Sequence, residues 1–208
     1  MLLEAQSTLS PRFRWITDGD PSLRPHHDVP VMESASFVVL PSLGSLAVGW
    51  LLVVPRRTMP NLSFLGATER EELSQLVDTL ERRLEVVPGD VFKFEHGGAY
   101  SSVLNCGVDQ AHLHVLPLSF DLFSAATMRS DVSWGPDYEN HSFAPVAPRS
   151  EYLSVFAPDG RRAIGEPRFP RSQWFRRLIA DQIGAAQWDY KLAPELPTMS
   201  KTLAMLGA

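Results

Sequence analysis

His112 and His114 stand two residues apart in residues 107–117, read GVDQAHLHVLP, and Gln110 lies two residues before them. In an extended strand successive side chains alternate between faces, so Gln110, His112 and His114 share one face while Ala111, Leu113 and Val115 share the other. Same-face neighbours lie roughly 7 Å apart, which lets two imidazoles reach one phosphate or one metal ion together. Three uses fit such a row. The rings can be partly buried packing in an apolar strand. They can be a His-x-His metal pair, which needs further ligands; residues 115–118 (VLPL) offer none, and His141 is the one histidine downstream. Or a neutral imidazole can attack phosphorus while a second group handles the phosphoryl oxygens.

The chain around this row has 208 residues, 44% hydrophobic and 21% charged, which suits one folded domain with a terminal extension. A formal charge of -5 argues against a partner that is a nucleic-acid polymer, because counterion release needs a basic face. The one cysteine, Cys106, excludes an intramolecular disulfide framework and any zinc site built from several thiolates. The start of the sequence lacks the charged head and apolar core of a signal peptide. The longest apolar run, residues 46–55, is about half of a membrane span. The expectation is a cytoplasmic protein with no membrane partner.

The elements that must hold the histidines can be read from periodicity. Residues 1–35 show none and are assigned to an irregular lead-in. Residues 36–40 (SFVVL) and 46–54 (LAVGWLLVV) read as adjacent antiparallel strands across a Pro/Gly/Ser turn. Thr68 and Glu71 form a capping-box pattern, followed by Leu73, Leu76, Val77, Leu80, Leu84 and Val87 at helical spacing until Pro88-Gly89. Residues 91–95 read as a strand, Gly97-Gly98 as a break and residues 111–118 as the histidine strand. Past residue 120 the pattern weakens into Ser/Pro/Asp-rich sequence. It resumes with a strand at 151–157 and a helix at 172–184, and the tail bears Trp188 and Tyr190, ring types that suit packing rather than free motion.

GVDQAHLHVLP resembles the signature of the histidine-triad superfamily, His-φ-His-φ-His-φ-φ, with Gln110 in the first histidine's place. Residues 49–62 (GWLLVVPRRTMPNL) resemble the family's Gly-His, hydrophobic strand and Pro-basic segment. Residues 94–97 (FEHG), residues 106–109 (CGVD) and residues 172–177 (SQWFRR) resemble a bacterial branch of hydrolases and nucleotidyltransferases. The resemblance implies an α+β, histidine-triad-like fold: an antiparallel sheet of about five strands, one long helix and a C-terminal helical extension. Together with the pattern of periodicity it gives a division into a lead-in at 1–35, the fold proper at 36–157, and a helix and tail at 158–208 packing on it. It further implies a homodimer that hydrolyses or transfers nucleotide units from dinucleoside polyphosphates, nucleotide phosphoramidates or nucleotide sugars. His112 would be the nucleophile, passing through a covalent intermediate, and His114 the contact to phosphate oxygens. No cofactor or metal is implied.

The sequence departs from that signature at Gln110, at Trp50 where a histidine follows the glycine, and at Thr58. Each departure removes a titratable group, so leaving groups that need a proton are expected to react poorly unless His96, the nearest replacement acid, supplies it. Two alternatives follow from the same losses: a nucleotide-binding protein without turnover, and a repurposed enzyme of a biosynthetic pathway. Among substrate-binding candidates, Ser42 occupies the place of a ribose-holding residue or is only a turn residue. Trp50 stacks on a substrate ring or fills space meant for a phosphate. Asn105 and Gly107 present amides to phosphate or simply turn the chain. Arg176 and Arg177 reach a distal phosphate or lie on a solvated helix face. Cys106 is read as packing.

Overall fold

The apolar runs on either side of the turn at 41–50 do pair antiparallel, and the rest of the chain is built outward from them. The computed structural model describes residues 11–99, 110–136, 138–139, 143 and 151–207. Its first half contains α1 (Arg14–Thr17), β1 (Met32–Glu33), β2 (Phe37–Pro41), β3 (Leu51–Pro55), α2 (Ala67–Leu84), β4 (Asp90–Gly97) and β5 (Leu113–Leu118). The second half adds α3 (Leu122–Thr127), β6 (Val132–Trp134), β7 (Tyr138–Glu139), β8 (Tyr152–Phe156) and β9 (Arg161–Pro167). Helices α4 (Trp174–Ile183) and α5 (Leu196–Leu206) follow.

All strands join one antiparallel sheet in the order β1-β2-β3-β5-β4-β8-β9-β6, with β7 also paired to β9. The expectation of about five strands is therefore corrected to nine among the described residues. The additional strands are short or charged: β9 reads RRAIGEP, and β1 and β7 have two residues each, too few to show a period. The strand expected over 46–54 begins only at Leu51. Gly49 holds φ +85°, and a Cβ there would stand 2.9 Å from the Pro117 side chain, so the chain turns at this point before it extends.

The long helix starts at Ala67, not at the Thr68 cap. The Glu69 carboxylate accepts from the Gly66 N–H at 2.7 Å and pairs with Arg57 at 2.7 Å, which closes the first turn ahead of the expected box. Leu73, Leu76, Val77, Leu80 and Leu84 then lie buried against one sheet face, on Phe37, Val39, Leu51, Val53, Leu113 and Val115. Each such side chain contributes about 2 kcal/mol through area removed from water.

The opposite face is covered in two pieces. On one side Phe13, Trp15 and Ile16 cover Val38, Leu40, Leu52 and Val54, with Tyr190 packed against them, so part of the lead-in forms helix and core. On the other side α3 and α4 cover Phe92, Phe94, Leu153 and Val155. Between the two coverings a seam runs along β5.

On the α2 side of the sheet one acid is buried completely. Glu95 accepts from the Tyr152 hydroxyl at 2.5 Å and from the Leu62 N–H at 2.7 Å, yet burial pushes its carboxyl above the ordinary glutamate range. A raised carboxyl stabilises the fold fully below the unfolded-state value, and that contribution is lost as pH rises through the folded one. Urea midpoints of the wild type should therefore fall from the ordinary glutamate range toward neutral pH, and Glu95→Gln should flatten that fall. An equal slope in both proteins would show that Glu95 is not its source.

Candidate functional site

The seam holds the histidines because of register. His114 pairs with Leu52 of β3 on one side and with Phe94 of β4 on the other, which sets it in the middle of the sheet. Its ring stacks on Phe94 at 4.2 Å and 15° between planes, and Phe94 stacks in turn on Phe175 of α4 at 4.3 Å. Trp50 shares this face because it lies two residues before Leu52. Its indole N–H donates to His114 Nδ1 at 2.9 Å. Indole nitrogen only donates, so Nδ1 accepts and the His114 proton sits on Nε2.

His112 has the opposite arrangement. Its Nδ1 lies 2.8 Å from the Gln110 carbonyl oxygen. A carbonyl only accepts, so Nδ1 carries the hydrogen and Nε2 keeps a lone pair. The two rings are 4.8 Å apart between centroids, closer than strand spacing alone suggests, and Phe13 packs on His112 at 5.9 Å. Both line one cavity of about 450 Å³, measured out to its mouth.

Gln110 does not share their position. It precedes β5, where no ladder enforces alternation, and its side chain is buried away from the cavity. Its Oε1 accepts from the Met59 N–H at 3.2 Å, and its Nε2 donates to the Pro55 and Arg57 carbonyls at 3.0 Å each. The carboxamide braces the chain that leaves β3, and the same residue's main-chain oxygen orients His112.

Ser42, buried to 1% exposure, accepts from Arg176 Nη2 at 3.0 Å. The Arg176 guanidinium also donates to the Leu43 and Gly44 carbonyls, and it lies over the Trp50 ring at 4.5 Å and the Tyr190 ring at 5.6 Å. Arg176 is thus a buried cation at the cavity wall. Arg177 instead stacks on Trp188 at 3.5 Å, away from the cavity lining. His96 lines the cavity from β4, and its Nε2 lies 2.6 Å from Glu151 Oε1. Asn105, Cys106 and Gly107 lie outside the described residues. Among the described residues, no three of His, Cys, Asp and Glu come together so as to hold a metal ion.

Several lining residues escape a reading by motif. Arg12, held by Asp28 Oδ1 at 2.9 Å, and Phe13 come from the lead-in, where a four-residue helix is too short to leave a periodic trace. Tyr190 comes from the tail, whose aromatic content was the one available signal. Glu151 sits at the start of an expected strand and is distinguished only by its proximity to His96.

No family model matches the chain, and no curated protein matches it. Among solved structures the chain is similar to a Hit-like protein involved in cell-cycle regulation from Bartonella henselae, with 19% identity over 50% of this chain and 71% of that one and a TM-score of 0.39. It is similar to a hypothetical histidine triad nucleotide-binding protein from Sulfolobus tokodaii, with 14% identity over 86% and 85% of the two chains and a TM-score of 0.36. It is also similar to a DUF4931 family protein from Bacillus cereus, with 9% identity over 83% and 99% and a TM-score of 0.44.

The two tautomers are directly measurable. In protein with nitrogen-labelled histidine, long-range correlation spectra should show His112 protonated at Nδ1 and His114 at Nε2. Trp50→Phe should turn His114 into a tautomer mixture and leave His112 unchanged. A single shared tautomer in the wild type would contradict the hydrogen-bond assignment.

Proposed function

We propose that the chain is a phosphohydrolase or nucleotidyltransferase that acts on a nucleotide-containing substrate through a covalent intermediate on His112. The observation that supports this reading is the pair of opposed tautomers. His112 Nε2 bears the lone pair a nucleophile needs, and His114 Nε2 bears a hydrogen that suits a phosphoryl oxygen. Arg176 adds fixed positive charge to the wall of the same cavity, which favours an anionic ligand, and Arg12, paired with Asp28, lines it too. The resemblance to the histidine-triad superfamily points to the same roles and suggests dinucleoside polyphosphates, nucleotide phosphoramidates or nucleotide sugars as substrates.

In the first step the His112 Nε2 lone pair forms a bond to phosphorus while the bond to the leaving group breaks. The leaving group takes that bond's electron pair. In the second step water or another acceptor attacks phosphorus and the imidazole departs. Dividing one displacement into two lets the second acceptor differ from water.

A nucleotide-binding protein without turnover is the second reading, favoured by Gln110, whose carboxamide lies off the cavity and cannot take part in proton transfer there. Intact-mass measurement after incubation with a nucleotide panel separates the two. The enzyme reading expects a phosphoryl or nucleotidyl adduct in the wild type and none in His112→Asn. That variant should also lose turnover by at least about a hundredfold while nucleotide affinity stays within about tenfold. Binding without an adduct or turnover in the wild type would select the binder.

The homodimer belongs to the same proposal. Light scattering is expected near twice the 23.2 kDa chain mass. An active monomer at micromolar concentration would remove the dimer from it.

A further inference from the structure

Resting on the His112 reading above, we propose that His96 and Glu151 deliver the proton to the leaving group, and that the substrate leaves as a strongly basic group, an amine or alkoxide, rather than as a phosphate. Phe94 of β4 pairs with His114 of β5, and His96 lies two residues further along β4, toward the end of the cavity where His112 stands. His96 is 7% exposed and shares the cavity lining with His112 and His114. Its Nε2 meets the Glu151 carboxylate at 2.6 Å, a close contact between an imidazole nitrogen and a carboxylate oxygen.

That contact matters because of what else faces the cavity. Arg176 from α4 and Arg12 from the lead-in bring two cations to it, and His112 and His114 bring two rings from β5. Glu95, on the other sheet face of β4, is held by Tyr152 and lies within electrostatic reach of His112 and Arg162. With Arg176 on the same cavity wall, and Arg12 there already paired to the buried Asp28, an imidazolium at His96 still needs a partner of opposite charge. Glu151 is that partner, as the carboxylate is in the serine hydrolase triad, where it orients and stabilises the charged ring without itself taking the proton. Glu151 is a positioning residue in this scheme, and His96 is the acid.

The step balances without any further reagent. The bond from His112 Nε2 to phosphorus forms as the phosphorus–nitrogen bond of a phosphoramidate breaks. The electron pair goes to the amine nitrogen, which takes its proton from His96, and neutral His96 keeps its Nε2–H toward Glu151. Water then attacks the phosphohistidine, returns a proton to His96 and releases the monophosphate and the His112 imidazole. A phosphate leaving group is already weakly basic and gains little from such an acid, whereas an amine or alkoxide depends on it. The substrate class follows from that difference, with His96 supplying the proton that the lost first triad histidine cannot.

The test compares adenylates that carry p-nitrophenolate, phosphate or an alkylamine as leaving group, with wild type, Glu151→Gln, His96→Asn and Glu151→Asp. Wild type should process the alkylamine compound at least as fast as the phosphate one. Glu151→Gln and His96→Asn should lose about a hundredfold or more on the alkylamine compound and stay within about threefold on p-nitrophenolate. Glu151→Asp should recover part of the alkylamine rate. Nitrogen spectra at neutral pH should show both His96 ring nitrogens protonated in the wild type and only one in Glu151→Gln. An equal loss on all three leaving groups would overturn the dyad while leaving His112 as nucleophile. A wild type that forms no adduct and turns over none of them would overturn the His112 reading and the dyad with it. A His96 ring with the same protonation in wild type and Glu151→Gln would overturn the dyad alone.

Discussion

A carbonyl oxygen can only accept a hydrogen bond and an indole N–H can only donate one, and the candidate site depends on that asymmetry. The Gln110 carbonyl forces a hydrogen onto His112 Nδ1, and the Trp50 indole keeps hydrogen off His114 Nδ1. Two chemically identical side chains, two residues apart, are thereby given opposite properties at Nε2. Both constraints are buried, so water does not compete for either nitrogen, and each is worth more than it would be at the surface. Those two partners are held by the sheet: Trp50 by its place at the entry to β3, and Gln110 by three hydrogen bonds to the segment leaving β3. One strand therefore orients both rings of its neighbour.

The cavity exists because the sheet face is covered from two directions that do not meet. The short N-terminal helix and Tyr190 cover β2 and β3, α3 and α4 cover β4 and β8, and β5 lies beneath the gap. Arg176 bridges the gap's wall. Its guanidinium is fixed by the turn at 42–44 and lies over the Trp50 and Tyr190 rings, so its charge is positioned before any ligand arrives. That use of Ser42 and Trp50 also explains their burial: both face the cavity but are occupied with bracing it.

The parts legible in the sequence are those where one period runs long enough to stand out. The helix from Leu73 to Leu84 and the strands with Phe37, Leu51, Phe94 and Leu113 follow directly from apolar spacing, and they place His112 and His114 on one face. Gln110 broke the pattern because alternation holds only inside a hydrogen-bonded ladder, and the ladder begins at Leu113. Strand β9 was illegible because Arg161, Arg162 and Glu166 mask its period, although Arg162 is buried on Ser154 at 3.0 Å. Phe13, Tyr190 and Glu151 were illegible for another reason. Each matters through a contact across the fold, at a separation no local pattern encodes.

The positions where the chain departs from the histidine-triad signature share a physical consequence. A histidine at position 110 or 50 would add a ring that titrates near neutral pH. Glutamine and tryptophan cannot change charge: the Trp50 side chain sets His114, while the Gln110 carboxamide braces the segment leaving β3 and it is that residue's main-chain carbonyl that orients His112. The cavity's other cationic side chains, Arg12 and Arg176, are guanidiniums, each held by fixed partners. Variable protonation is thus concentrated in few groups, and the Glu151 carboxylate is the acidic group that lies against one of them. In the proposed scheme the contact between Glu151 and His96 would therefore be the point where proton supply is set.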